Sequence, residues 1–265
     1  EDLRPARRSL RGVEETPIQG VTVHYKDAVE LVERGASRVH LILRQEKEKR
    51  ISRNLILRID GSQRADEVLT VSAHYDSVPE GPGAYDNMAG AAIVMELCRY
   101  FSVHRPSRTM EFLWFGAEEK GLYGSLNYVE RHGEELASHR FNMNVDLAGQ
   151  TIGGTVIGVT GNPEICQILS AYAHETGMGV SLKHQIWGSD SNSFAWKGVP
   201  AMTLNRDGFG MHTRHDTAAL ISVWSLERSS RLLAMVAERL ASAEVFPFPR
   251  EVPEKFREEL NAFFE

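Results

Sequence analysis

The sequence predicts an α/β protein, a three-layer α/β/α sandwich around a central mixed, mostly parallel sheet. Three observations lead there. Strand-like and helix-like runs alternate from Glu67 onward, the order that lays helices over the faces of a sheet. A loop rich in glycine, 74–90, is fixed between an apolar strand-like run and a helix-like run, where α/β proteins place ligand groups. The chain has 265 residues, 42% apolar and 25% charged, which suits a globular chain with one sizeable α/β unit.

Residues 1–20 are polar and irregular, with Arg4, Arg7, Arg8 and Arg11 against Glu14 and Glu15, and read as a solvated lead-in. Val21-Thr22-Val23-His24-Tyr25 alternates like a strand. Residues 26–35 read as a short helix with Ala28, Leu31 and Val32 on one face and Gly35 as its stop. Strands are expected over 39–43 and 53–59, with Asp60-Gly61-Ser62 as a turn. The apolar run 68–73 leads into the loop. The helix after it carries small or apolar residues at 90, 94, 97, 98 and 101, one buried face at helical spacing. A strongly apolar strand, 109–115, is closed by Gly116-Ala117-Glu118-Glu119-Lys120-Gly121. A helix is expected over 122–136, a strand over 141–147 that brings Asp146 to its end, and a strand over 155–159. The segment 163–176 reads as a helix with Pro163 in its first turn and Gly177 as terminator. Strands are expected over 180–186 and 201–204. A long helix over 223–243 turns Leu226, Leu233, Val236, Ala237 and Leu240 inward, and 254–264 is amphipathic through Phe256, Leu260 and Phe263.

The net charge of −6, from 30 basic and 36 acidic residues, argues against a nucleic-acid partner held by phosphate neutralisation. Only Cys98 and Cys166 occur, so a disulfide framework and a four-cysteine zinc site are excluded, and any metal must be held by His, Asp and Glu. No run approaches the ~18 apolar residues that span a bilayer. The chain starts at Glu1 without Met or a signal-like apolar region, which reads as a processed or trimmed product and leaves the compartment open, a cytoplasmic location slightly favoured over a secreted one. Oligomeric state is not legible.

The informative pattern is where the acidic and histidine residues fall. His74 follows one strand candidate, Glu118-Glu119 another and Asp146 a third; Asp86 opens a helix and His212 lies in the loop after the last strand. In open α/β sheets the carboxyl ends of parallel strands share one edge, so these residues converge. Such nitrogen and oxygen donors suit Zn²⁺ or a similar divalent ion. Each residue taken singly has a plainer reading: Asp146 as a turn former, Asp86-Asn87 as a helix cap, Glu118-Glu119 as surface charge, His212 as a loop histidine. Their coincidence at separate strand ends is what the plainer readings do not explain.

Six motifs carry a resemblance. His74-x-Asp76-Ser77, Gly83-Ala84-Tyr85-Asp86-Asn87-x-x-Gly90, Glu118-Glu119-x-Gly121-x-x-Gly124-Ser125, Asn144-x-Asp146, Ser189-Asp190-x-x-x-Phe194 and His212-Thr213-x-x-Asp216-Thr217 resemble, in order, those of the M28 family of zinc peptidases. The resemblance covers roughly 67–240. It implies a zinc-exopeptidase-like fold and an aminopeptidase with two Zn²⁺ per chain, acting on peptides with a free N-terminus. It also implies that His74 and Asp146 bind one ion, Glu119 and His212 the other, and that Asp86 bridges them. Glu118 would be the general base and acid, and Asp76 would orient His74 through its ring N–H. A cis Asp86–Asn87 peptide is expected on the same ground. The alignment of motifs selects His212 over the neighbouring His215. Other branches remain open: a carboxypeptidase-like or glutaminyl-cyclase-like relative, or a metal-stabilised binding module without activity.

Glu118 and Glu119 are expected to point apart as neighbours in extended chain, one to the metal and one to the water. Two features depart from the family's pattern. Ser191 stands where the family carries His or Tyr, so another donor such as Tyr85 or Asn192 would have to stabilise an oxyanion. Residues 21–43 resemble only the last part of a protease-associated domain, so 1–52 is expected to be a lead-in and remnant of that domain and 53–265 the catalytic domain. The pocket for the N-terminal side chain is expected around Tyr123, Trp187 and Phe209, and access is expected to be governed by loops 187–196 and 205–215.

Overall fold

The computed structural model describes residues 23–42 and 48–264, and the chain divides into two units, Glu1–Arg50 and Ile51–Glu265. In the first unit, helix α1 (Tyr25–Glu33) begins where His24 Nδ1 accepts a hydrogen bond from Lys26 N at 3.2 Å, and ends before Gly35 at φ 60°. The strand expected over 21–25 is not formed in its described part: Val23 and His24 are irregular and Tyr25 opens the helix, because the His24 cap recruits the chain into a turn. Val21 and Thr22 lie outside the described residues, as does the lead-in 1–20. Val39–Ile42 is likewise no strand. Alternation makes a strand only where a partner completes the ladder, and among the described residues none pairs with it.

The second unit is built on seven strands in the order β1-β3-β2-β4-β7-β5-β6. These are β1 (Leu55–Ile59), β2 (Arg64–His74), β3 (Arg108–Phe115), β4 (His139–Val145), β5 (Thr155–Thr160), β6 (Val180–His184) and β7 (Ala201–Arg206). The four central strands β3, β2, β4 and β7 run parallel, and β5–β6 is a parallel pair; β1 on β3 and β5 on β7 are antiparallel. The expected mixed, mostly parallel sheet is therefore present.

Helices cover both faces. Helices α2 (Ala89–Val103), α4 (Glu164–Glu175) and α6 (Val223–Ser242) pack through Ile93, Leu97, Leu169, Leu233 and Val236 on one face. Helices α3 (Tyr123–Arg131), α5 (Ser191–Trp196) and α7 (Glu254–Phe264) pack through Val129, Phe194, Phe256 and Leu260 on the other. Short α5 was not expected; its SNSFAW sequence has no helical apolar period, and it is ordered by burial of Phe194 and Ala195.

The strands sort their residues by period two. Leu69, Val71 and Ala73 of β2 and Phe141, Met143 and Val145 of β4 enter the core under α2 and α6. The intervening Thr70, Ser72, Asn142 and Asn144 are fully buried and polar. They bond to one another: Ser72 Oγ donates to Asn144 Oδ1 at 2.9 Å, Asn142 Nδ2 to Thr70 Oγ1 at 3.0 Å, and Asn144 Nδ2 to Ser189 Oγ at 2.8 Å. His74 continues this polar row of β2 to the strand's end.

Helix α6 is held at its C-terminus by Arg108, which is 1% exposed. Its guanidinium donates to the carbonyls of Leu240 (3.1 Å), Ala241 (3.4 Å) and Ala243, and to Glu67 at 2.5 Å. These carbonyls have no partner within the helix, so the cation completes them. Among the described residues no helix is long and apolar enough to cross a membrane. Arg108→Ala should cost about 3 kcal/mol by removing the nearer cation from Glu67 and leaving the helix end unpaired, measured by urea unfolding; a loss below about 0.5 kcal/mol would reject this account.

Candidate metal centre

All the chemically significant loops leave the carboxyl edge of the four parallel strands. His74 is the last residue of β2, Glu118 and Glu119 follow β3, Asp146 follows β4, and the loop after β7 carries His212. Asp86 lies in the turn between β2 and α2, where the Asp86–Asn87 peptide is cis.

These residues form two donor groups that share one carboxylate. His74, Asp86 and Asp146 make one, and Asp86, Glu119 and His212 the other. His74 Nε2 lies 3.1 Å from Asp86 Oδ1 and 3.4 Å from Asp146 Oδ1. His212 Nε2 lies 3.0 Å from Asp86 Oδ2 and 3.1 Å from Glu119 Oε2. Asp86 thus turns one oxygen to each group. Glu118 Oε2 stands 3.9 Å from His74 Nε2. The His74 and Asp86 side chains are almost sealed, whereas that of His212 is 49% exposed. His215 is exposed and belongs to neither group.

The donors fit a pair of divalent cations on the chemistry of the set. Every donor atom is imidazole nitrogen or carboxylate oxygen, and Glu119 Oε1 is buried with no hydrogen-bond partner. With only protein groups around them, the imidazoles take the cationic role. Burial alone would lower the His74 pKa, but Asp146, Asp76 and Asp86 more than offset this and raise it well above 6.5. Hydrogen bonds to Asp86 and Glu119 push His212 up to about 10. Burial raises Asp86, but the hydrogen bonds from His212 and His74 prevail and hold it at about 2. Glu118 is pushed up, first by burial and then by Asp190 and Asp146, against the opposing influence of His74.

The surrounding hydrogen bonds differ in detail from expectation. Asp76 meets the His74 ring chiefly through its main-chain oxygen, 3.1 Å from Nδ1, with the carboxylate at 3.6 Å. That carboxylate accepts from Glu118 N at 3.0 Å and Glu119 N at 3.3 Å. The two glutamates are not in extended chain. They open a 3₁₀ turn, Glu118–Lys120, entered through Ala117 at φ 61°, and their side chains diverge because successive residues of such a turn point about 120° apart. Asp86 is no helix cap either; it is Asn87 that accepts from Gly90 N at 3.2 Å, at the start of α2.

Of the two substitutes for the missing aromatic donor, the Tyr85 hydroxyl is already engaged, whereas Asn192 Nδ2 and Oδ1 have no hydrogen-bond partner. The Tyr85 hydroxyl donates to Arg206 O, and the residue is 2% exposed. Asn192 is completely buried, and Ser191 Oγ is 2.6 Å from Thr203 Oγ1 beneath the site. Tyr123 and Phe209 are exposed at 64% and 53%, with Trp187 half-buried against Gly158.

Sequence reasoning missed the backbone conformation that aims these groups. Of the non-glycine residues described, Ala117, Leu122, Leu147 and His212 have φ of 60–68°. Ala117 precedes Glu118, Leu147 follows Asp146, and His212 is itself a donor. Non-glycine residues enter this region at a cost of order 1 kcal/mol and collect where a site over-determines the chain.

Comparison with known proteins adds the following. Residues 54–237 match the description "Peptidase family M28". Aminopeptidase YwaD of Bacillus subtilis (strain 168) is 42% identical over 84 residues, covering 31% of this chain and 18% of the relative. A probable zinc metalloprotease of Pyricularia oryzae is 33% identical over 108 residues, 38% of this chain and 22% of the relative. Among solved structures, an aminopeptidase from Aneurinibacillus sp. strain AM-1 superposes with a TM-score of 0.67 at 26% identity, over 74% of this chain and 50% of that one. The chain thus spans half the length of that solved aminopeptidase and a smaller share of the two sequence relatives.

The raised pKa of His212 has a definite sign. Its folded value, about 10, exceeds the ordinary 6.5, so its pairing contributes stability fully below pH 6.5 and loses it as pH rises through 10. Protein stripped by a chelator should therefore lose thermal stability between pH 7 and 10, with the His212 imidazole titrating near 10 by NMR. Titrating divalent cation into that protein at pH 7 should release protons. A His212 midpoint near 6.5 would reject the proposed electrostatics of the cage.

Proposed function

The chain belongs to peptidase family M28, and from that premise we propose that it is a zinc-dependent aminopeptidase that releases N-terminal residues from peptides. The observation that carries this reading is the pair of donor groups joined by Asp86, one carboxylate oxygen to each. On it, His74 and Asp146 would hold one Zn²⁺, Glu119 and His212 would hold a second, and Asp86 would offer an oxygen to each. When bound, the ions supply an acidified water and polarise the scissile carbonyl. Residues from 53 onward form the catalytic domain in this reading, and 1–52 a lead-in and protease-associated remnant.

Glu118 is the general base. It takes one proton from the attacking water as the oxygen bonds to the carbonyl carbon, and gives it to the peptide nitrogen as the C–N bond breaks. Its position favours this, because Glu118 Oε2 stands 3.9 Å from His74 Nε2, beside both donor groups. Asp76 holds the base in place through the backbone N–H groups of Glu118 and Glu119. The cluster of Glu118, Asp146 and Asp86 also attracts a free α-amine, which supports exopeptidase over endopeptidase action. An aminopeptidase is favoured over a cyclase-like or non-catalytic relative because both donor groups are complete and Glu118 stands beside them.

Glu118→Gln should lower kcat on aminoacyl anilides by roughly 10²–10⁴-fold while zinc content stays at two per chain by elemental analysis. Full activity in that variant, or hydrolysis of N-acetylated substrates as fast as free ones, would reject the assignment.

A further inference from the structure

Asp216 belongs to none of the donor groups, yet its carboxylate is 1% exposed and fully engaged. Oδ1 accepts from Tyr85 N at 2.6 Å and Oδ2 from Asp86 N at 3.0 Å, and the Asp216 main-chain oxygen accepts from Ala84 N at 3.3 Å. Three consecutive N–H groups of the Asp86 turn therefore end on one residue. That residue lies in the loop that supplies His212, and its own N–H returns to Thr213 O at 3.2 Å. The two loops also meet backbone to backbone: a Cβ on Gly81 would come within 2.5 Å of Thr213 O. A carboxylate that accepts two backbone N–H bonds is a strong and directional tether.

We infer that Asp216 is a positioning residue that fixes the bridging Asp86 relative to His212, and so sets the spacing of the donor group Asp86, Glu119 and His212. The inference rests on the metal-centre reading above. His212 needs such a tether more than His74 does. His74 is the last residue of a central strand, paired to β3 on one side, whereas His212 is half-exposed on a loop in the left-handed region. The bonds from Tyr85 N and Asp86 N to the Asp216 carboxylate tie that loop to the backbone that carries the shared carboxylate. Losing it leaves Asp86 held from the Asp146 side, where Asn87 bonds Val145 O and Leu147 N, and frees it on the His212 side.

The test is Asp216→Asn in the full chain, which keeps the volume but turns an amide N–H toward one of the two backbone donors. Co²⁺ titration followed by its visible absorption counts each ion by its own signature. The expected result is that one binding event weakens by roughly 10- to 100-fold, as loss of an outer hydrogen-bonding partner does, while the other changes by less than about threefold. Identical curves for variant and wild type, or equal weakening of both events, would overturn the inference. Absence of Co²⁺ uptake by the wild-type chain overturns the metal-centre reading beneath it, a failure recognised without the variant. Amide hydrogen exchange supplies the readout if Asp216→Asn does not fold. Slow exchange of the Tyr85 and Asp86 amides in the wild type supports the tether, and exchange at free-loop rates overturns it.

Discussion

Asp86 turns one oxygen to each donor group, and the structure around it is a set of ties that hold it from two sides. Asp216 accepts from the N–H groups of Tyr85 and Asp86. On the other side, Asn87 donates to Val145 O at 2.8 Å and accepts from Leu147 N at 3.3 Å, so it grips the chain just before and just after Asp146. Asp76 does the same for the Glu118 turn. The Asp86 turn is thereby linked to the loops after β4 and β7, and the Glu118 turn to the loop after β2, through Asp216, Asn87 and Asp76, which lie outside the donor set. Hydrogen bonds to charged groups contribute about 1.5–3 kcal/mol each, enough to hold loops that contain several left-handed residues. Gly90 shows how tightly this is packed: a Cβ there would lie 2.3 Å from Asn87 Oδ1 and 2.8 Å from Val145 O.

Beneath the ties lies an asymmetric sheet. Its face under α2, α4 and α6 is an ordinary apolar core. The opposite face, under α5, carries the buried Thr70, Ser72, Asn142, Asn144 and Thr203, with Ser189 and Ser191 of the α5 segment bonded down onto it. A buried polar network in low dielectric is worth most when all its members are satisfied, and it then fixes register more sharply than apolar packing does. Asn142 Oδ1 and the Asn192 side-chain amide are buried without partners, and so is the carboxylate of Asp190. Burial pushes the Asp190 carboxyl well up toward the neutral form.

Much of this was legible in the sequence, and what was not has identifiable causes. Apolar runs of adequate length revealed β2, β3 and α6, because period and length there agree with burial on the final fold. The convergence of His74, Glu118, Glu119 and Asp146 was legible because strand ends share one sheet edge, while the choice of Asp86 and His212 rested on the resemblance to the M28 family. Val39–Ile42 misled, since alternation records a capacity to pair and not the presence of a partner. The Glu118-Glu119 turn misled for a different reason: nothing in Gly116-Ala117 announces that Ala117, not a glycine, takes the left-handed position. Tyr85 was a reasonable oxyanion candidate by proximity in sequence, and only three dimensions reveal that Arg206 O has its hydroxyl. Asp216 was visible as a motif letter without a role, because its partners lie 130 residues away.

The ties bear on the order in which this site is assembled. The hydrogen bonds around Asp86, Asp146 and Glu119 end on backbone N–H groups, carbonyls and carboxylates of neighbouring loops. A divalent ion entering such a frame meets donors already at 3.0–3.4 Å from one another and has only protons to displace. Little ordering then remains to be done on binding, which is the advantage of preorganisation. Selectivity follows from the same argument. A rigid, small cage of imidazole and carboxylate disfavours ions that want many flexible oxygen ligands and suits one that accepts few ligands of mixed type. That is an argument for zinc from the stiffness of the loops, independent of the identities of the relatives.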